Sequence, residues 1–176
     1  MTAHALDYFN DTHAMVRETT RRFVQQEILP HIAQWEEEGG FPRALYQKAG
    51  ALGLLGIGHP ERLGGTGEHD VFMKVAVSEE LMRSTSGGLV ASLGSLDIGL
   101  PPVWRGGSPE LQQRVVPGVI AGDKIISLAI TEAGGGSDAV GVYMKATHKF
   151  LLPLFIFSFL FLQLVSLFLF QLIHFF

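Results

Sequence analysis

The last 27 residues, Phe150 to Phe176, hold no charged residue and no glycine, and nine of the thirteen phenylalanines fall there. Phe, Leu, Ile and Val are interrupted only by Pro153, Ser158, Gln163, Ser166, Gln171 and His174. No globular domain is written this way, so the chain divides into two parts of different composition. As a helix rising about 1.5 Å per residue, such a run is long enough to cross a hydrocarbon core of about 30 Å. Lys145, His148 and Lys149 precede it, as a cytoplasmic flank would. A packed amphipathic helix is a poorer reading, because Ser158 lies off the arc shared by Gln163, Ser166 and Gln171. The same residue menu is what a pyrimidine-rich shifted or non-coding frame would translate to. The segment 143–176 is therefore expected to be a transmembrane helix or a translation artefact.

The mean hydropathy of +0.28 averages that tail with an ordinary globular mixture. A chain of 176 residues has room for one domain and part of a second. A net charge of −4 with dispersed basic residues gives no groove for nucleic acid. The absence of cysteine excludes disulfides, thiolate catalysis and cysteine-ligated metals. Met1 to Tyr8 has neither the basic and apolar regions of a signal peptide nor the Arg-rich character of a transit leader, so the cytoplasm is the expected location, with a membrane reached through the tail as the alternative.

Punctuation along the first part is helical. Asn10, Asp11 and Thr12 offer N-caps to a helix carrying Met15, Val16, Phe23, Val24 and Ile28 up to Pro30. Ile32 to Glu38 reads as a second helix stopped by Gly39 and Gly40, with Glu36 to Glu38 as a solvated end. Pro42 opens a third helix that runs towards Gly53. The glycine-rich stretch Gly53 to Gly67 is expected to be a loop with extended residues at Leu54 to Ile57. A helix follows Asp70, and another runs from Leu89 towards Ile98, where Gly99, Pro101 and Pro102 disturb its end. Ser108 and Pro109 start a last helix that ends at Gly122. Lys124 to Thr131, KIISLAIT, is β-branched and apolar and reads as the first strand. The fold class is mainly α: a helical bundle over 1–123, then the start of a β domain over 124–142 that is not completed, then the apolar tail.

Thr131 to Asp138 reads TEAGGGSD. Three glycines allow a ligand close to the backbone, and Thr131 and Ser137 place hydroxyls at the two ends of the loop. Neither a P-loop nor GxGxxG is present. Taken with Ala129 and Ile130, this segment resembles the first signature of the acyl-CoA dehydrogenase family. ALGLLGIGHPERLGGTG, SEEL at Ser78 to Leu81, and GSPELQQRVVPGVIAGDKIISLAITE are similar to that family's text in the same order, over about the first 140 residues. Ala133 departs from it, since proline is common there in the family.

The resemblance implies an FAD-dependent oxidoreductase that forms the α,β double bond of acyl-CoA thioesters. It implies flavin contacts at Leu128, Ile130, Thr131, Gly136 and Ser137, with Ser137 also near the thioester. It further implies an acyl-CoA substrate, an electron-transfer acceptor and homo-oligomers, and gives Glu132 a structural part rather than that of proton acceptor. The catalytic base belongs to a C-terminal helical domain that is absent here, so no catalytic residue is assigned and little activity is expected of this chain alone. A membrane-anchored, non-catalytic interaction protein derived from the family is the alternative. His13, His31, His59, His69 and His148 lack metal-ligand spacing and are read as surface or helix-face residues, and Trp35 and Trp104 as packing residues.

Overall fold

The computed structural model describes residues 8–67 and 70–133. The chain separates into two compact units, Met1–Leu128 and Ala129–Phe176. Among the described residues of the first, seven α-helices follow one another: α1 Asp11–Phe23, α2 Ile32–Glu38, α3 Ala44–Ala51, α4 Val71–Leu81, α5 Gly87–Gly94, α6 Leu96–Gly106 and α7 Pro109–Ile120. No helix among the described residues is long and apolar enough to cross a membrane. The tail 143–176, its membrane and artefact readings included, lies outside the described residues.

Local chemistry accounts for most helix ends. The Asn10 side chain accepts from the His13 backbone N–H at 3.1 Å, while the His13 Nδ1 accepts from the Asn10 N–H at 2.9 Å, a reciprocal capping box with histidine in the place usually held by Glu or Gln. Past Phe23 the chain continues as a π-turn, Val24–Ile28, in which the Leu29 N–H donates to the Val24 carbonyl. Asp70 caps α4 by accepting from Phe72 and Met73, and Ser86 and Ser108 cap α5 and α7.

Several expectations are corrected. Leu54–Gly56 is a 3₁₀ turn rather than extended chain, because Gly53 at φ 75° turns the backbone over and lets the Gly56 N–H return to the Gly53 carbonyl. The helix expected from Leu89 to Ile98 divides at Ser95 into α5 and α6. Pro101 and Pro102 lie inside α6 and do not end it. The carbonyls that the two prolines leave without an N–H partner belong to Asp97 and Ile98, four residues earlier, and both of those residues are exposed. Residues 125–131 form neither helix nor ladder, and the first bridge-type residue is Glu132. A β-competent segment becomes a strand only when a partner edge pairs with it, and no described residue supplies one to 125–131.

The core joins Phe23, Val24 and Ile28 with Leu45, Ala49, Leu63, Leu81, Leu89, Leu96, Leu100, Val116 and Val119. Trp35 and Trp104 pack against it as partly buried residues. Backbones approach closely where α3 meets the end of α7: a Cβ on Gly50 would stand 2.5 Å from the Ala121 carbonyl carbon. At Gly122, φ is 80° and a Cβ would collide with the Tyr46 backbone.

The α1–α4 pair is joined by charge. Glu80 is fully buried, and Arg21 forks onto it, Nη2 to Oε1 at 2.8 Å and Nε to Oε2 at 3.1 Å. Arg83 reaches Oε2 at 2.8 Å, Arg17 lies 3.7 Å from Oε1, and Arg17 also pairs with the exposed Glu79. The hydrogen bonds from Arg21 hold the Glu80 carboxyl below the usual carboxylate range, with the charges of Arg21, Arg83 and Arg17 adding to this against the opposing effect of burial. A carboxyl whose folded pKa is depressed stabilises the fold above its unfolded pKa of about 4.3. That contribution is lost as pH falls through the lower folded value.

Glu80→Ala should therefore lower the unfolding free energy by about 1.5–3 kcal/mol at neutral pH, measured by urea denaturation with far-UV circular dichroism, because the charged hydrogen bonds from Arg21 and Arg83 are lost. The difference from the unsubstituted chain should shrink as pH is lowered below about 4. Gly50→Ala should cost about 1–3 kcal/mol in the same measurement, since neither backbone at the α3–α7 crossing has room to retreat.

Candidate functional site

A recess of about 100 Å³ opens in the first unit among α3, the 3₁₀ turn, α4, α5 and α6. Its walls are largely apolar, from Phe23, Leu54, Val77, Leu81, Val90 and Leu93. The space approaches the roughly 150 Å³ of an apolar cavity that admits a benzene ring, so it suits a short stretch of alkyl chain. Gly94 lies in the wall, and a Cβ added there meets nothing within 4 Å. Its φ is not positive, so neither backbone conformation nor crowding calls for glycine at this point.

One side of the recess is polar. Lys74 and Ser78, one turn apart on α4, and Asp97 on α6 all line it. Lys74 Nζ donates to the Asp97 carboxylate across the gap between the two helices. Behind Asp97 stands His59, from the loop after α3, with Nε2 at 3.6 Å from Asp97 Oδ1 and only 2 % of the residue exposed. That separation is too long for a hydrogen bond, and both ring nitrogens are buried without a hydrogen-bond partner among the described residues. Burial pushes the Asp97 carboxyl up, but polar contact with His59 and Lys74 and the attraction of their charges outweigh it and leave the carboxyl below its ordinary value.

A second polar pair fastens the start of α1 to the start of α4. His13 is buried, and because Nδ1 accepts from Asn10, the ring proton sits on Nε2, which donates to Asp70 Oδ2 at 2.7 Å. Burial raises the Asp70 carboxyl, whereas the bonds from His13, Phe72 and Met73 lower it by more. Tyr8 stacks on Phe72 beside this pair, at 5.0 Å between ring centroids. All of its polar atoms are satisfied, so its role is to hold the helices together.

The flavin-contact positions expected from sequence divide between the units. Leu128 closes the first unit and is 45 % exposed, while Ile130 and Thr131, both exposed, belong to the second. Gly136 and Ser137 lie outside the described residues, as do His69 and His148. Of His13 and His59, expected as surface or helix-face residues, His13 does lie on α1, facing inward, while His59 is a buried loop residue. For His13 a signal was present in the Asn10–His13 spacing of a capping box, but for His59 none was, since its loop reveals no helical or strand face. The recess and the distinction between exposed Glu79 and buried Glu80 were likewise missed.

Residues 10–123 match the family model described as acyl-CoA dehydrogenase, N-terminal domain. The chain belongs to the acyl-CoA dehydrogenase family. The mitochondrial long-chain specific acyl-CoA dehydrogenase of Sus scrofa is 42 % identical over 138 residues, which is 78 % of this chain and 32 % of that protein. A probable acyl-CoA dehydrogenase of Mycobacterium abscessus has a crystal structure that superposes with a TM-score of 0.70 at 38 % identity, covering 75 % of this chain and 35 % of its own. The Bacillus anthracis acyl-CoA dehydrogenase, solved in complex with FAD, superposes at 0.68 with 34 % identity over 76 % of this chain and 23 % of its own. This chain thus spans about a third of the length of the curated relatives it matches. The match places the recess and the Glu80 cluster inside the domain that defines the family's N-terminal part.

Gly94→Ala is expected to leave the fold intact and to raise its stability by about 0.5 kcal/mol, because helix propensity improves while the added methyl enters open space. Thermal unfolding followed by circular dichroism checks this, and a marked loss of stability would show that the recess wall cannot accept a side chain.

Proposed function

We propose that this chain supplies the helical, acyl-binding part of an FAD-dependent acyl-CoA dehydrogenase, with residues 124–142 beginning the flavin-binding domain. The observation that carries the reading is the apolar recess of the first unit, found in a chain that belongs to this family. An acyl chain has the shape and the solubility that such a recess selects, since each methylene leaving water adds about 0.8 kcal/mol. Phe23, Val77, Leu81 and Leu93 form the walls, and Gly94 lines the recess beside them.

The residues around 125–131 suit a flavin in kind. Leu128 and Ile130 offer exposed apolar surface, Thr131 offers a hydroxyl, and the segment belongs to no helix or ladder that would engage its backbone groups. Leu128, Ile130, Thr131, Gly136 and Ser137 would hold FAD, and Ser137 would also approach the thioester. When bound, FAD accepts the hydride from the β-carbon of the acyl group. An electron-transfer acceptor for the reduced flavin, and an oligomer, belong to the same reading.

Isothermal titration of the chain with acetyl-CoA and hexanoyl-CoA tests it. Hexanoyl-CoA should bind more tightly by roughly fourfold for each methylene that enters the recess. Gly94→Leu should erase that difference while leaving the far-UV circular dichroism unchanged. Equal affinities for the two thioesters in the unsubstituted chain would refute the acyl-binding role.

A further inference from the structure

Of residues 125–128, which close the first unit, Ile126 alone is not exposed. Its side chain packs against the core beside Gly99 of α6, where an added Cβ would stand 3.0 Å from Cγ1, closer than ordinary contact. Its carbonyl accepts from the Ser95 hydroxyl at 2.8 Å, the one donor to it among the described residues. The same hydroxyl lies 2.9 Å from the Ser92 carbonyl. A hydroxyl carries one proton, and Ser92 already receives the Ser95 backbone N–H, so Ile126 is the acceptor that needs it. Ser95 is also the single residue between α5 and α6, and its neighbours on both sides, Leu93, Gly94, Leu96 and Asp97, line the recess. One junction therefore meets the acyl-sized space with its flanks and the segment 125–128 with its central side chain.

We infer that Ser95 is a positioning residue: it ties the segment that leads to the flavin to the wall of the acyl recess, so that a chain entering the recess alters the surroundings of Ile126. The inference rests on the acyl-binding and flavin-binding reading and names the link between the two. Reach gives the size of the effect. Before Ile126 the backbone is fastened at Lys124, whose N–H donates to the Gly118 carbonyl at 2.8 Å. Measured from Lys124, Leu128 is four residues on and free over about 14 Å; measured from Ile126, it is two residues on and confined to about 7 Å. Leu128 is the first of the positions proposed to hold FAD, so this tie sets where the flavin-meeting stretch begins. Coupling between sites requires a contact with two arrangements, and a serine proton that can turn from Ile126 to Ser92 provides them. Ser95 acts through Ile126 and Leu128 and takes no part in proton or hydride transfer.

The test is NMR on the full 176-residue chain, labelled in its backbone amides and isoleucine methyls, with acetyl-CoA and hexanoyl-CoA as probes. Saturating hexanoyl-CoA should shift the Ile126 δ1 methyl, and acetyl-CoA, which has no chain to enter the recess, should not. Ser95→Ala should drop the amide order parameters of Ser127 and Leu128 from about 0.85 to below about 0.6 and abolish the methyl shift. Its affinity for hexanoyl-CoA should stay within about twofold, because Ser95 is no part of the recess lining. Ser95→Thr, which keeps a hydroxyl, should restore both signals. Gly99→Ala, which leaves Ser95 in place but crowds Ile126, should lower the same order parameters, and it carries the test if Ser95→Ala loses its helical circular dichroism. Unchanged order parameters in a folded Ser95→Ala chain, or an Ile126 methyl indifferent to bound hexanoyl-CoA, would overturn the inference and leave the acyl-binding reading standing. Failure of hexanoyl-CoA to bind an unsubstituted chain with intact helical circular dichroism would remove the acyl-binding reading, and the inference with it.

Discussion

A carboxylate with no access to water has to be answered by opposite charge, and Glu80 meets that requirement with arginines from two elements. Arg17 and Arg21 stand one turn apart on α1, and Arg83 lies in the turn that leaves α4. The cluster therefore has one register: a slip of α1 along α4 would remove the fork of Arg21 from Glu80 and leave an ion buried alone. Hydrophobic contacts between the helices tolerate small shifts, whereas a bidentate ion pair does not. At the other end, the His13–Asp70 bond fastens the same two helices a second time, so α4 is held at both ends against α1.

The site follows from that restraint. With Glu80 turned into the α1 contact, Lys74 and Ser78 lie on the part of α4 that lines the recess, where Asp97 and Lys74 meet across from α6. Val71 and Val75, one turn apart, are left on a further, exposed face of α4, and the exposed Met82 follows in the turn after it. The break between α5 and α6 at Ser95 matters as well. The Ser95 hydroxyl donates to the Ile126 carbonyl at 2.8 Å, and a Cβ on Gly99 would stand 3.0 Å from the Ile126 side chain. Residues 125–128 are thereby held against α6 without belonging to any regular element.

Much of the fold was legible because its signals are local. Asn10, Asp70, Ser86 and Ser108 cap helices through their own side chains, and the glycines at 39, 53 and 122 take the left-handed backbone that ends or turns a segment. The failures have a common cause. Pro101 and Pro102 look like breakers, but whether they break α6 depends on whether the freed carbonyls can reach water, which burial decides. Lys124 to Thr131 carries strand residues, yet pairing needs an edge that no local pattern supplies. His59 sits in a glycine-rich loop, and a loop residue's burial depends on which elements close over it.

The sequence by itself determined the family, the order and approximate limits of the helices, and the position of the segment expected to meet a flavin, because caps, helical spacing and contiguous motifs are written within a few residues of one another. Only the tertiary structure decided that Glu80 and not Glu79 is the buried carboxylate, that His59 lies against Asp97, and that Gly94 lines a recess. Those facts depend on contacts between residues about 20 to 60 positions apart, and such contacts form only when an extended chain, reaching about 3.5 Å per residue, has been folded back on itself.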